Sequence, residues 1–432
     1  MTKSSAQSPS VKSQIGLFGA IILGLGSILG TGVFVSLAIA TEISGQGIFI
    51  AIGLGATIAL CNGLSAAQLA TAHPVSGGTY AYGYRYLNPW LGFIAGWLFL
   101  LAKSASAATA ALGFSSYLLE ALNAPTHYRI PIALAAVGFM TTIAACGIKK
   151  SNWLNSAIVG ITLLTLGSFV LVGLGQPDTL LSPTLTAPTT NSFTVPNVLQ
   201  ATALMFVAYT GYGRITTMTE EVENPRRSIP IAVFVTLGIT MLLYLAIAGV
   251  AAQTIGLDGF GLMIGESLPP LQAAAQHLQP PLPIAMIVGI GAITAMLGVL
   301  LNLLLGLSRV MMAMGRNGDM PRQTARLNAA RTTPTIAIWV MGAIVASLVA
   351  IGNVKTTWSF SAFNVLAYYS LANLCALRLP AGDRFYPRWI AIVGLVSCAT
   401  LAFWVDAQVW QIGLGIIGVG CLWRLILRAV SR

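Results

Sequence analysis

Main-chain polar groups are the first chemistry this sequence offers. The stretch "GSILGTGVF", residues 26–34, lies inside an apolar run from Ile15 to Ala40. Gly26, Gly30 and Gly32 each weaken a helix there by about 1 kcal/mol relative to alanine. A second apolar run is interrupted by "YTGYGR" at residues 209–214. Unwinding frees N–H groups of the downstream half-helix and carbonyls of the upstream one. Half-helix N-termini attract carboxylate and C-termini attract ammonium. An α-amino acid presents both groups on one carbon, so two facing breaks can grip it with backbone alone. The plainer alternative for Gly26-xxx-Gly30 is close packing of small residues, and for Tyr209 it is ordinary core or lipid-facing packing.

Charge is scarce at depth. The eleven acidic residues fall at the ends of apolar runs or between them, so no carboxylate is expected at mid-membrane. Lys103, in "FLLAKSASAATAALG", is the exception among the basic residues. It follows Trp90 by a distance of about 20 Å along a helix. Such a residue is functional by default: a protonatable element coupling transport to pH, or a cation reading an acidic substrate group. The alternative is a structural lysine bonded to carbonyls or water. A polyamine pocket needs buried carboxylates to offset its desolvated ammonium groups, and the sequence places none at that level.

The elements that must position these groups are membrane spans. Of 432 residues, 56% are hydrophobic and 8% charged, beyond what a soluble chain of this length can bury. Spanning stretches are read at 15–40, 47–70, 90–119, 130–148, 153–174, 196–218, 229–254, 282–312, 335–352, 357–378, 388–404 and 409–428. The breaks therefore fall in the first and sixth of twelve spans, as two related five-span halves require, and such paired interruptions point to a transporter's central site. With both termini in the cytoplasm, only Arg129 and Lys355 fall in loops on the outer face, in accord with the positive-inside rule. The net charge of +11 is thus topological and excludes a nucleic-acid partner. Five scattered cysteines and three separated histidines offer no metal spacing. No cofactor, metal or catalytic cluster is expected, nor an enzyme activity or an obligate protein partner. The first span is too long for a signal-peptide core and is expected to be retained.

Four stretches together carry a family resemblance: "GSILGTGVF", "HPVSGGTYAYGYRYLNPWLGFIAGW", "EEVENPRRSIPIA" and "LGLSRVMMAMGRNGDMP". In this order and spacing the chain resembles the amino acid–polyamine–organocation (APC) superfamily. The resemblance implies an all-α membrane protein of the leucine-transporter type. Residues 15–175 would form the first five-helix repeat, 195–378 the second, inverted one, and 385–430 two peripheral helices, with spans 1 and 6 discontinuous. It also implies that a substrate carboxylate meets the N–H groups of Gly30, Thr31 and Gly32. The amine would meet carbonyls of Ser27, Ile28, Val207 and Thr210, with Tyr209 a candidate aromatic gate; Gly211 and Gly213 would permit a hinge or equally only ease packing. Many relatives carry a lysine in span 5, where this chain has Thr162. Sodium-coupled ones carry Ser or Thr in span 8, where Leu297 and Gly298 stand. Thr294 and Asn302 are the polar residues of that span and read most simply as packing contacts. Glu220, Glu221 and Arg226 are candidate cytoplasmic gate residues; Pro225 and Ser228 alternatively just end one helix and cap the next.

The expected function is secondary active transport of α-amino acids by alternating access, proton-coupled or exchanging, in the plasma (inner) membrane. The substrate and the lipid bilayer are the expected partners. The alternatives are an exchanger or exporter of organic cations or polyamines, or a non-transporting amino acid sensor.

Overall fold

The computed structural model describes residues 15–74, 77–147, 152–176, 193–217, 219, 222–265, 268–278, 284–328 and 333–430. Helices dominate, and among these residues the one β-type pairing is an isolated bridge between Ile15 and Val222. The expected first span is broken into α1 (Leu17–Ile28), a π-helical turn over Gly32–Ser36, and α2 (Leu37–Ser44). Next come α3 (Ile48–Ala72), the short α4 (Thr79–Tyr86), α5 (Pro89–Ala121), α6 (Arg129–Ala145) and α7 (Asn152–Leu174). The sixth span is α8 (Val195–Tyr209), one 3₁₀ turn over Thr210–Tyr212, and α9 (Gly213–Thr217). Thereafter run α10 (Pro225–Thr254), α11 (Gly256–Gly265), α12 (Pro270–Gln276) and α13 (Ile284–Arg316). The last four are α14 (Thr335–Val349), α15 (Val354–Leu377), α16 (Arg388–Leu401) and α17 (Ala407–Val430).

Among the described residues, eight helical stretches are long and apolar enough to cross a membrane. The difference from the expected twelve has two sources: breaks leave α1 and α8 at 12 and 15 residues, while α14 and α16 with its 3₁₀ extension are apolar but short. The helices are wrapped in exposed apolar side chains; Leu164 and Leu171 on α7 are 76% and 73% exposed. Hydrocarbon rather than water is the medium such a surface fits.

Polar groups pin α5 at the centre. Ser106 and Thr109, three apart and hence on one helix face, bond to Ser361 and Thr357 of α15 at 2.7 and 2.8 Å. The hydroxyls face each other across two apolar helices, so neither is left unsatisfied in a dry core. α5 also packs against α13. Lys103 is carried on this fixed rod.

A second polar cluster was not foreseen. Arg424 of α17, expected among the solvated basic residues of the inner face, is 1% exposed. Its guanidinium lies 3.2 Å from Asp319, donates to the Tyr84 hydroxyl at 2.7 Å and to the Pro89 carbonyl, and stacks near Trp90 and Phe93. Tyr80 and Tyr84, one turn apart on α4, both donate to Asp319, at 2.9 and 2.5 Å. Asn317 donates to the Tyr80 hydroxyl at 2.8 Å. Burial and the neighbouring carboxylate push both phenols well above the ordinary tyrosine value, so they remain protonated donors. The cluster ties α4 and the end of α13 to the last helix.

Candidate functional site

A cavity of about 200 Å³ lies where α1, α5, α8–α9 and α13 converge. Ser27, Ile28, Thr31 and Gly32 line it from the first break, and Val207, Thr210 and Gly211 from the second. Lys103 enters from α5, flanked on the same helix face by Phe99 and Ser106. From α13 come Val299, Asn302, Leu303, Gly306, Arg309 and Val310, a stripe at helical spacing. Asn302 therefore faces the cavity, which corrects the packing reading, whereas the Thr294 hydroxyl is spent on the Ile290 carbonyl at 2.9 Å.

The cavity leads toward one end of the molecule. Gly77 and Gly78 ahead of α4 and Thr79 at its start line it there, as do Thr217 and Arg309, both exposed. Gly77 and Gly78 have φ of +124° and +54°, the left-handed region that glycine enters without penalty. Packing is dense at the other end. Tyr117 donates to the Phe34 carbonyl at 3.1 Å and Trp358 to the Leu204 carbonyl at 3.2 Å, and Phe34, Tyr117 and Trp358 are all buried. Beyond them Lys355 pairs with Glu42 at 3.0 Å.

The two breaks differ in chemistry. In the first, Leu29 turns to extended geometry (φ −76°, ψ 101°). Among the described residues, the N–H groups of Gly30, Thr31 and Gly32 and the carbonyls of Ser27 and Ile28 make no backbone bond across it. The Thr31 hydroxyl, also buried, has no hydrogen-bond partner there either. The second is a tightening, not an unwinding. Val207 accepts from both the N–H and the hydroxyl of Thr210, and Thr210 and Gly211 both accept from the Gly213 N–H. A carbonyl has two lone pairs, so Val207 has no capacity left for an amine. The expectation that both breaks expose free carbonyls is corrected: the first does, while the second is closed by its own 3₁₀ turn.

The breaks touch. A Cβ on Gly211 would strike the Ser27 carbonyl, and one on Gly32 would strike the Tyr244 hydroxyl and Ala208. Only hydrogen fits at these crossings. Lys103 Nζ donates to the Thr210 hydroxyl at 3.1 Å, which in turn donates to the Val207 carbonyl at 2.8 Å. The cation is thus held one residue from the contact between the two segments.

Three further expectations shift. Tyr209 does not line the cavity: it is fully buried, donates to the Ile52 carbonyl at 3.2 Å and packs on Tyr244, so it is no gate over this space. Phe99, Tyr368, Tyr369 and Trp358 form the aromatic wall instead. Gly30 backs onto Val299 and is absent from the lining. Thr162 is buried on α7 with its hydroxyl bonded to Ile158 of its own helix at 2.8 Å, so it supplies no substitute for a lysine there. Of the gate candidates, Glu220 and Glu221 lie outside the described residues. Arg226 is exposed and lies over the Phe385 ring at 5.3 Å. Helix α10 starts at Pro225 behind Asn224 (φ +48°), so Ser228 is inside its first turn and caps nothing. No group of His, Cys, Asp and Glu able to hold a metal occurs among the described residues.

An interrupted apolar helix beside a cavity is a transporter's geometry, and comparison with known proteins agrees. The model of the amino acid permease family matches residues 15–420. The chain belongs to the amino acid permease family. It is an integral membrane protein, and this family's relatives are transporters. An uncharacterized transporter of Mycobacterium tuberculosis is 35% identical over 98% of this chain and 93% of its own length. A branched-chain amino acid permease of Bacillus subtilis is 28% identical over 78% of this chain and 75% of its own. Human cationic amino acid transporter 4 is 26% identical over 85% of this chain and 59% of its own.

Proposed function

We propose that this permease-family protein is a secondary transporter of α-amino acids working by alternating access around the cavity at the first break. The observation that carries the reading is the set of uncommitted main-chain groups at residues 27–32, which border the cavity. The N–H groups of Thr31 and Gly32 would take the carboxylate, and the Ser27 and Ile28 carbonyls the ammonium group. Twelve spans arranged as two inverted repeats, 15–175 and 195–378, with 385–430 peripheral, account for the first and sixth segments meeting here. The positive-inside rule places both termini in the cytoplasm of a plasma (inner) membrane. In that orientation the Thr217–Arg309 end of the cavity is cytoplasmic, and the structure is inward-facing.

Coupling to protons or exchange is favoured over sodium, because α13 offers Leu297 and Gly298 where hydroxyl ligands would stand. Export of polyamines is disfavoured, because no carboxylate among the described residues lines the cavity. The test is uptake by the purified protein in liposomes, with a labelled amino-acid panel under separate proton and sodium gradients. Accumulation or counterflow of amino acids without sodium supports the reading. Binding without flux would make the protein a sensor and overturn it.

A further inference from the structure

Among the described residues, Lys103 and Arg309 bring positive charge to the cavity lining and no carboxylate does. Lys103 donates to a neutral hydroxyl, that of Thr210. A cation removed from bulk water is costly unless an anion faces it. A neutral zwitterion brings its one carboxylate to the break and adds no net negative charge. A substrate with a second carboxylate does: its α-carboxyl and α-amino groups use the break, and its side-chain carboxylate faces the lysine.

We infer that the cavity selects amino acids whose side chain is a carboxylate, with the Lys103 ammonium group as the residue that reads it. The inference rests on the reading of this cavity as an amino acid site. Geometry supplies the placement, because Thr210, which holds Lys103, is adjacent to Gly211, which lies against the Ser27 carbonyl. A carboxylate held by the ammonium group is therefore within one side chain of an α-carbon held at residues 27–32. Arg309, exposed at the mouth, adds a field that draws anions in and turns arginine or lysine side chains away.

The experiment is equilibrium binding to the purified full-length chain of L-glutamate, L-aspartate, L-leucine and L-arginine, on wild type, Lys103→Met and Lys103→Arg. Expected is an acidic amino acid bound about tenfold or more tighter than leucine, with arginine weakest. Lys103→Met should lose about thirtyfold or more for the acidic ligand, the size of truncating one member of a buried charge pair. Its glutamate-to-leucine affinity ratio should fall by about tenfold or more, and Lys103→Arg should restore part of the acidic preference. Wild type preferring leucine or arginine overturns the inference and leaves the amino acid reading standing. So does a glutamate-to-leucine ratio unchanged in a folded Lys103→Met. If that variant does not fold, the wild-type ranking decides alone. Failure of all four ligands and of every other amino acid to bind would overturn the underlying reading as well.

Discussion

Arg424 on α17 and Lys103 on α5 both hold a positive charge away from bulk water, in surroundings that differ in kind. Arg424 has Asp319 at 3.2 Å, a tyrosine hydroxyl, a main-chain carbonyl and three aromatic rings around it. Lys103 donates to a neutral hydroxyl and has a cavity in front of it. A buried carboxylate, a hydroxyl and a carbonyl around it make the first charge part of the architecture, fastening α4 and the end of α13 to the last helix. The second lacks a counter-charge from the described residues, which is the state of a binding residue between substrates. The same reasoning separates the two breaks, since the second satisfies its carbonyls internally and the first does not.

The contrast can be broken most forcefully at Asp319. Asp319→Ala strands a buried guanidinium, so stability in detergent should fall by about 3–5 kcal/mol. Amino acid affinity of the folded fraction should stay unchanged. A thermal or denaturant melt beside a binding isotherm reads both. Gly211→Ala should act the other way, through the site. Its new methyl group meets the Ser27 main chain, and overpacking of about 1–3 kcal/mol should appear as a loss of affinity and flux, checked by counterflow in proteoliposomes. The smallest effect is expected at Glu42→Gln, because its pair with Lys355 is partly solvated, with side chains 26% and 35% exposed. Stability should change by under about 1 kcal/mol, while the balance between inward- and outward-facing forms should shift toward outward opening, read as altered labelling of a cysteine placed at Ser106.

Much of the frame was readable from hydropathy, because a span is a long local signal: α3, α5, α10 and α13 begin and end within a few residues of their expected limits. Composition also exposed the first break, where three glycines crowd an apolar run. The second was over-read. Gly211 and Gly213 mark a close crossing and a 3₁₀ turn, and a glycine needed for contact looks the same in sequence as one needed for unwinding. Tyr209 was misplaced for a similar reason, since the turn that follows decides which way its ring points. The Arg424–Asp319 cluster was invisible because its members come from distant parts of the chain and its two charges each resemble a surface charge at a helix end. A hint existed in Tyr80 and Tyr84, spaced one turn apart in "TYAYGYRY", but nothing local names their partner. The short α4, α11 and α12 fell below the length at which periodicity distinguishes helix from loop.

The most direct test of the account is the melting of purified Lys103→Met with and without saturating L-glutamate, beside wild type and Asp319→Ala. Ligand at about a hundred times its dissociation constant should stabilise wild type by about 2.7 kcal/mol. The account predicts that Lys103→Met melts like wild type when empty and loses most of that ligand-induced gain, while Asp319→Ala melts early and keeps it. A Lys103→Met protein that melts as early as Asp319→Ala, yet is stabilised by glutamate as fully as wild type, would contradict it.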